Sequence, residues 1–247
     1  MRTRMTADSK AVVARTKVAI DVPAREPGRR ERNKLDKLRR IKDAARHLFV
    51  AKGFDDTTTR EIAASAGVGL GTVFVYAANK RDLLFLIAND GLEEAAAKAK
   101  AAIDPSASLL ENLLGAFRHH YEFFARQPAL SRLMLREMIF YESGAQARPF
   151  QITREALIAL VGDIIRLAME QRSVSSLEPP QFVGWTIFCV YQVELRRWLA
   201  RDDLDLAEGL DRLRRGLALL ITGLNPDTNA LALGRSVAGK AAKKARR

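Results

Sequence analysis

A single cysteine, Cys189, is present in the 247-residue chain. That excludes an intramolecular disulfide framework and suits a reducing compartment. Aromatic residues are scarce at 7%, glycines number 15 and prolines 8, while leucine and alanine predominate. This balance favours helix, and the length is enough to bury a substantial core. Long apolar runs are missing. The charge-free apolar stretch Pro179 to Val193 holds two prolines and two glutamines and falls short of the roughly 18 residues of a membrane span. The first thirty residues carry charges throughout and no apolar block, so no secretory signal is expected. Three histidines and one cysteine cannot supply a thiolate cluster or an H-E-x-x-H metal site, and no G-x-S-x-G occurs. The expectation is therefore a soluble, cytoplasmic protein with no cofactor, no metal, no membrane partner and no enzymatic activity.

Charge is what the chain has in excess, and it is unevenly placed. The net formal charge is +12; residues 1–34 carry ten basic side chains against four acidic ones, and 235–247 carry six basic and none acidic. The long middle is neutral. Basic ends on a neutral body suit a polyanionic partner, although tails that only keep the chain soluble have the same composition.

Residues 1–33 lack apolar periodicity and include Pro23 and Pro27-Gly28, which predicts a disordered basic arm. From Asn33 a helical stripe begins, with Leu35, Leu38, Ile41, Ala45, Leu48 and Phe49 on one face. Gly53 stands where a left-handed residue ends such a helix, and Phe54 can fold back on Phe49. Asp55, Asp56 and the threonines at 57–59 offer capping oxygens to a short second helix with Glu61 in its first turn.

The stretch "AGVGLGTVFVYAANK" (66–80) then admits three readings. A dinucleotide fingerprint needs a third glycine where Thr72 or Phe74 stands, and a preceding strand; no Lys-Ser/Thr pair follows as in a P-loop. A strand through Thr72–Tyr76 has the right propensity but no neighbours with which to pair. A turn between two short helices explains more: Ala63 permits close approach, Gly67 makes the bend, Val68 plugs the angle, Gly69 caps the next helix and Val73 faces inward. This is the pattern of a helix-turn-helix, whose second helix is shaped for a major groove. Asn79 caps the following helix, with Asp82 as a shortened capping-box partner.

"TTTREIAASAGVGLGTVFVYAANKRDLL", preceded by "AARHLFVAKGFDD", resembles the TetR/AcrR family of bacterial transcriptional regulators over about residues 34–90. It departs from the family pattern at Gly69, where a polar cap is usual, at Phe74 and Val75, and at Ala77 in place of a phenylalanine. The resemblance implies phosphate positioning by Thr59, Tyr76 and Lys80. Arg60 can reach a guanine or a phosphate. Leu70, Thr72 and Val75 would face the groove, with Gly69 capping the recognition helix and Gly71 allowing close backbone approach. Only Thr72 among the groove-facing residues has a hydrogen-bonding side chain, so readout is expected to lean on thymine methyls and DNA shape.

The fold expected is all-α. A three-helix helix-turn-helix DNA-binding domain (34–94) precedes a larger helical ligand-binding and dimerisation domain (95–226) and a basic disordered tail (227–247). Stripes at 109–124, 133–139 and 152–165 predict three helices. Residues 180–193 are apolar nearly all round, and Leu206, Leu210, Leu213, Leu217, Leu220 and Leu224 repeat like a coiled-coil seam. These last two helices are expected to bury their spare faces against a second copy of the chain. The resemblance implies an apolar effector pocket, with Phe117, His120, Tyr121, Phe124, Met134, Met138, Trp185 and Phe188 as wall candidates. The expected function is sequence-specific binding of double-stranded DNA at a near-palindromic operator by a homodimeric repressor, released by a small hydrophobic effector. The alternative is a helical small-molecule-binding protein with weak or no specific DNA binding.

Overall fold

The computed structural model describes residues 28–223. Among these, nine helices and no strand are found. α1 (Arg29–Ala51), α2 (Thr59–Ser65) and α3 (Leu70–Tyr76) form the front of the molecule. α4 (Lys80–Ala101) leads into α5 (Leu109–Ala125), α6 (Pro128–Glu137), α7 (Ala147–Glu170), α8 (Pro180–Leu199) and α9 (Leu206–Thr222).

α1 starts four residues before Asn33. Gly28 enters it in an extended conformation, and Glu31 occupies the first turn, where a carboxylate complements the helix dipole. The rest of the expected arm, 1–27, lies outside the described residues, as does the expected tail at 227–247. Gly53 ends α1 at φ +92°, and Phe54 packs on Phe49 with ring centroids 5.2 Å apart.

α4 joins the two halves. Its residues 82–89 are all buried, because it packs on α1 in front and on α5, α6 and α7 behind. Asn79 caps it by accepting the Asp82 N–H at 2.9 Å, but the Asp82 carboxylate does not return to Asn79. It accepts from the Ala78 N–H instead and is drawn into long-range bonds described below, so the expected capping box is only half formed.

α7 and α8 make the tightest crossing. At Gly184 an added Cβ would stand 2.7 Å from the Gly162 nitrogen and 2.8 Å from its Cα, so the two helices touch backbone to backbone. α8 is apolar on all sides: Ile187, Phe188, Tyr191, Leu195 and Trp198 are buried, while Phe182, Trp185 and Val193 are exposed. The leucine stripe of α9 is the face that serves the core of its own chain. Leu210, Leu213 and Leu217 are buried within the chain, because α9 packs on α5 and α8. Leu220 is exposed, and Leu224 lies outside the described residues. What α9 leaves for a partner is Leu219 and Leu220, not its main seam.

Candidate nucleic-acid interface and effector cavity

The bend between α2 and α3 is fixed from three sides. Thr58 and Glu61 form a capping box: the Thr58 hydroxyl accepts the Glu61 N–H at 3.2 Å, and the Glu61 carboxylate accepts the Thr58 N–H at 2.8 Å. Lys52 is the main cause that pulls the Glu61 carboxyl down to about 2, with the Thr58 donors adding to it. Gly67 adopts φ +61°, a conformation that costs glycine little, and the Val68 N–H reaches the Ala63 carbonyl at 3.0 Å. Arg40 of α1 then donates to the Ala66 carbonyl at 2.9 Å, satisfying an acceptor that the end of α2 leaves open. Val73 is fully buried beneath α3. The β-propensity of Thr72–Tyr76 is overridden by this packing, and the segment is helical.

α3 turns an apolar face outward. Val75 is 74% exposed and Phe74 49% exposed; Gly69 and Gly71 are exposed, and Leu70 and Thr72 half-buried. Phe74, a departure from the family pattern that is not among the residues the resemblance implies, shares this exposed face. Thr59 is half-buried at the first position of α2, and Arg60 is exposed. Tyr76 and Lys80 are tied within the chain. The Tyr76 hydroxyl donates to the Lys34 carbonyl at 3.4 Å. The Lys80 ammonium donates to the Asp55 carbonyl at 2.9 Å, 4.6 Å above the Phe54 ring. Both therefore hold fixed positions beside the end of α3, and the basic start of α1 lies next to Tyr76.

Behind α3 sits a buried carboxylate. Asp82, with no exposed surface, accepts from the Tyr141 hydroxyl, from the Ala78 and Ala145 N–H groups at 2.8 Å each, and from the Gln146 N–H at 3.2 Å. Burial works to raise its carboxyl, but the Tyr141 hydroxyl and these amides outweigh it and hold the group below its usual range. The Gln146 side chain donates to the Tyr76 carbonyl at 3.0 Å, and Asn89 donates to Gln146 in turn. The connection between α6 and α7, residues 138–146, is thus bonded to the last turn of α3 and the first turn of α4. Gly144 (φ +129°) lies so close to Asp82 that a Cβ there would overlap the carboxylate, and the Tyr141 ring stacks on Phe85 at 3.9 Å.

The same connection reaches a cavity in the larger domain. The space is narrow, about 30 Å³, and His120, Phe124, Met134, Met138 and Phe188 line it. Three of the expected wall residues stand elsewhere. Phe117 is fully buried and stacked on Tyr191 at 4.3 Å. Tyr121 packs on Trp198 at 4.9 Å. Trp185 is on the outer face of α8, 42% exposed. Stacking inside the core takes up two of these rings, and helix phase turns the third outward. Arg154, which sequence reasoning did not single out, lines the cavity. The His120 imidazole is pushed down to about 4 by burial, with the neighbouring His119 adding to it, so it is neutral at neutral pH. Among the described residues its Nε2 has no hydrogen-bond partner, and neither has the Tyr121 hydroxyl.

Comparison with known proteins places the front of the chain. Residues 41–87 match the family model of bacterial regulatory proteins, tetR family. An uncharacterized HTH-type transcriptional regulator of Bacillus subtilis (strain 168), YhgD, is 34% identical over 89 residues. That match covers 36% of this chain and 47% of that protein, so it spans about half the length of the curated relative. Among solved structures, Thermus thermophilus FadR, a TetR family transcriptional repressor in complex with lauroyl-CoA, is 28% identical with a TM-score of 0.58, covering 77% of this chain and 96% of that one. Bacillus subtilis FadR in complex with stearoyl-CoA shares the fold with a TM-score of 0.61 at 19% identity, over 76% and 99% of the two chains.

Proposed function

We propose that the chain, whose residues 41–87 match the tetR family model, is a TetR-type repressor whose hold on DNA is released by a small molecule with an apolar body. α3 lies in the major groove with Leu70, Thr72, Phe74 and Val75 toward the bases, while Thr59, Arg60, Tyr76 and Lys80 meet the flanking phosphates. Phe74 and Val75 favour thymine methyls over bidentate hydrogen bonds. A second copy of the chain covers Phe182, Trp185 and Val193 of α8 together with Leu219 and Leu220 of α9, all exposed in one chain. Two α3 helices then face successive major grooves of a near-palindromic site, roughly 34–36 Å apart.

One observation carries the effector half of this reading. The 138–146 connection contributes Met138 to the cavity wall and, through Tyr141, Ala145 and Gln146, grips Asp82 and the Tyr76 carbonyl at the end of α3. A ligand that enlarges so small a cavity must displace Met134 or Met138, whose flexible side chains move easily. That displacement is passed to α3. The lauroyl-CoA held by the Thermus thermophilus repressor supports an effector with an alkyl chain.

DNA fragments selected from a random pool by the purified chain provide the test. Affinity for the selected duplex should fall steeply with salt, as counterion release requires. A saturating alkyl ligand should weaken that affinity about tenfold, within the usual range of allosteric coupling, and the duplex should weaken ligand binding by the same factor. A chain that binds alkyl ligands but selects no sequence would be a carrier, and the DNA half of the proposal would fail.

A further inference from the structure

We infer that the effector carries an anionic head, and that Arg154 and Arg196 form the subsite that takes it; this rests on the effector reading of the cavity above. The cavity does not end at its apolar wall. An outer groove of about 240 Å³ lies against it and shares Met138, Phe150, Arg154 and Gln192 with it. Those four residues are therefore the boundary between an apolar interior and a polar vestibule. Arg154, on α7, is half-buried at that boundary. Its guanidinium lies 5.5 Å from the ring centroids of both Trp185 and Phe188. Stacking on two aromatic faces positions a guanidinium without neutralising it, and Arg154 meets no carboxylate at ion-pair distance among the described residues.

One turn further along α8 from Gln192, Arg196 brings a second guanidinium to the same groove, again without a carboxylate partner. The acidic residue of the vestibule wall is Glu142, so two positive charges face one negative. A half-buried arginine at the mouth of an apolar cavity, rigidly stacked and unpaired, is suited to a carboxylate or phosphate, which guanidinium forks bind in two-point fashion. The ligand geometry follows. An alkyl chain points inward past Met138 and Phe188 toward His120, and an anion remains at the groove against Arg154, with Arg196 within the same vestibule. Carboxylate and phosphate share this chemistry, and separate probes distinguish them.

Calorimetric titration of the full chain with decanoate, n-decyl phosphate and 1-decanol tests the subsite without DNA. The proposal expects at least one of the two anions to bind about tenfold or more tightly than the alcohol. The Arg154→Met variant, which keeps the stem and removes the charge, should lose that preference while its affinity for 1-decanol stays unchanged. Arg196→Met should produce a smaller loss of the same kind. Equal wild-type affinity for anions and alcohol would overturn the anionic subsite and leave the cavity reading standing. So would an anion preference that survives Arg154→Met, because the anion would then be held by other basic residues. A loss shared equally by anions and alcohol in Arg154→Met would reduce Arg154 to a packing role. Failure of all three probes to bind would overturn the subsite and the effector cavity together.

Discussion

Replacing Gly184 with valine is expected to lower the stability of the protein by about 4 kcal/mol or more, beyond the usual range for overpacking. Most oversized side chains in a core are accommodated by neighbouring side chains that rotate aside. Here the neighbour is backbone: the first added carbon already lies 2.7 Å from the Gly162 nitrogen and 2.8 Å from its Cα. Helices α7 and α8 would have to separate along their whole contact, exposing apolar surface that includes Val161, Ile165, Ile187 and Phe188. With roughly 2–4 °C lost per kcal/mol for a protein of this size, the melting temperature should fall by about 10 °C or more. Gly162→Ala is the internal comparison. Its added carbon meets the Gln181 Cα at 3.4 Å, an ordinary contact, and alanine gains up to about 1 kcal/mol of helix propensity over glycine. Thermal unfolding of the two variants should diverge sharply; a Gly184→Val protein that melts with the wild type would show that the crossing is looser than described.

Removing the Asp82 carboxylate should cost about 3–5 kcal/mol, the range for breaking a buried charged network from one side. Asp82→Ala leaves the Tyr141 hydroxyl and the N–H groups of Ala78, Ala145 and Gln146 without their acceptor. Its folded pKa lies below the free value of 3.8, which fixes the sign with pH. The wild type keeps this contribution above pH 3.8 and loses it as acid titrates the folded carboxylate, whereas the variant has nothing to lose there. Denaturant unfolding at neutral pH and near pH 3 should show the difference between the two proteins shrink on acidification. The functional consequence is separate. With the 138–146 connection released from the start of α4 and held to α3 only by the Gln146 side chain, an alkyl ligand should bind the variant yet shift its affinity for DNA less than in the wild type. Tyr141→Phe removes one bond of the set, so it should sit between the two.

How far these features could be read from sequence depends on how local they are. The bend at Gly67, the cap at Asn79 and the inward Val73 were legible, because each follows from a few neighbouring residues. The role of Asp82 was not. Its partners at 141, 145 and 146 lie about sixty positions away, and from its surroundings alone it looked like a helix cap. Arg40 and Arg154 were likewise passed over: a charged residue on a helix reads as solvated until the fold brings the end of α2, or two aromatic rings, against it. Periodicity showed that α9 has an apolar stripe, but not that α5 and α8 of the same chain would cover it. Hence Leu210, Leu213 and Leu217 form the face given to the core, while Leu219, off the stripe, is among the residues left exposed. Five of the eight wall candidates that the resemblance implies, His120, Phe124, Met134, Met138 and Phe188, line the cavity. Their helical spacing does not reveal that Phe117 and Tyr121 stack on Tyr191 and Trp198.

The central claim is that the exposed face of α3 reads DNA, and a fluorescence-anisotropy titration of the selected duplex with Val75→Glu tests it most directly. Val75 is 74% exposed, so the substitution should leave the melting temperature within a few degrees of the wild type. A carboxylate held against the groove, in place of an apolar contact, should weaken binding on the order of 100-fold, the scale of losing one good base contact and adding repulsion. An affinity equal to that of the wild type, in a protein that is still folded, would contradict the account.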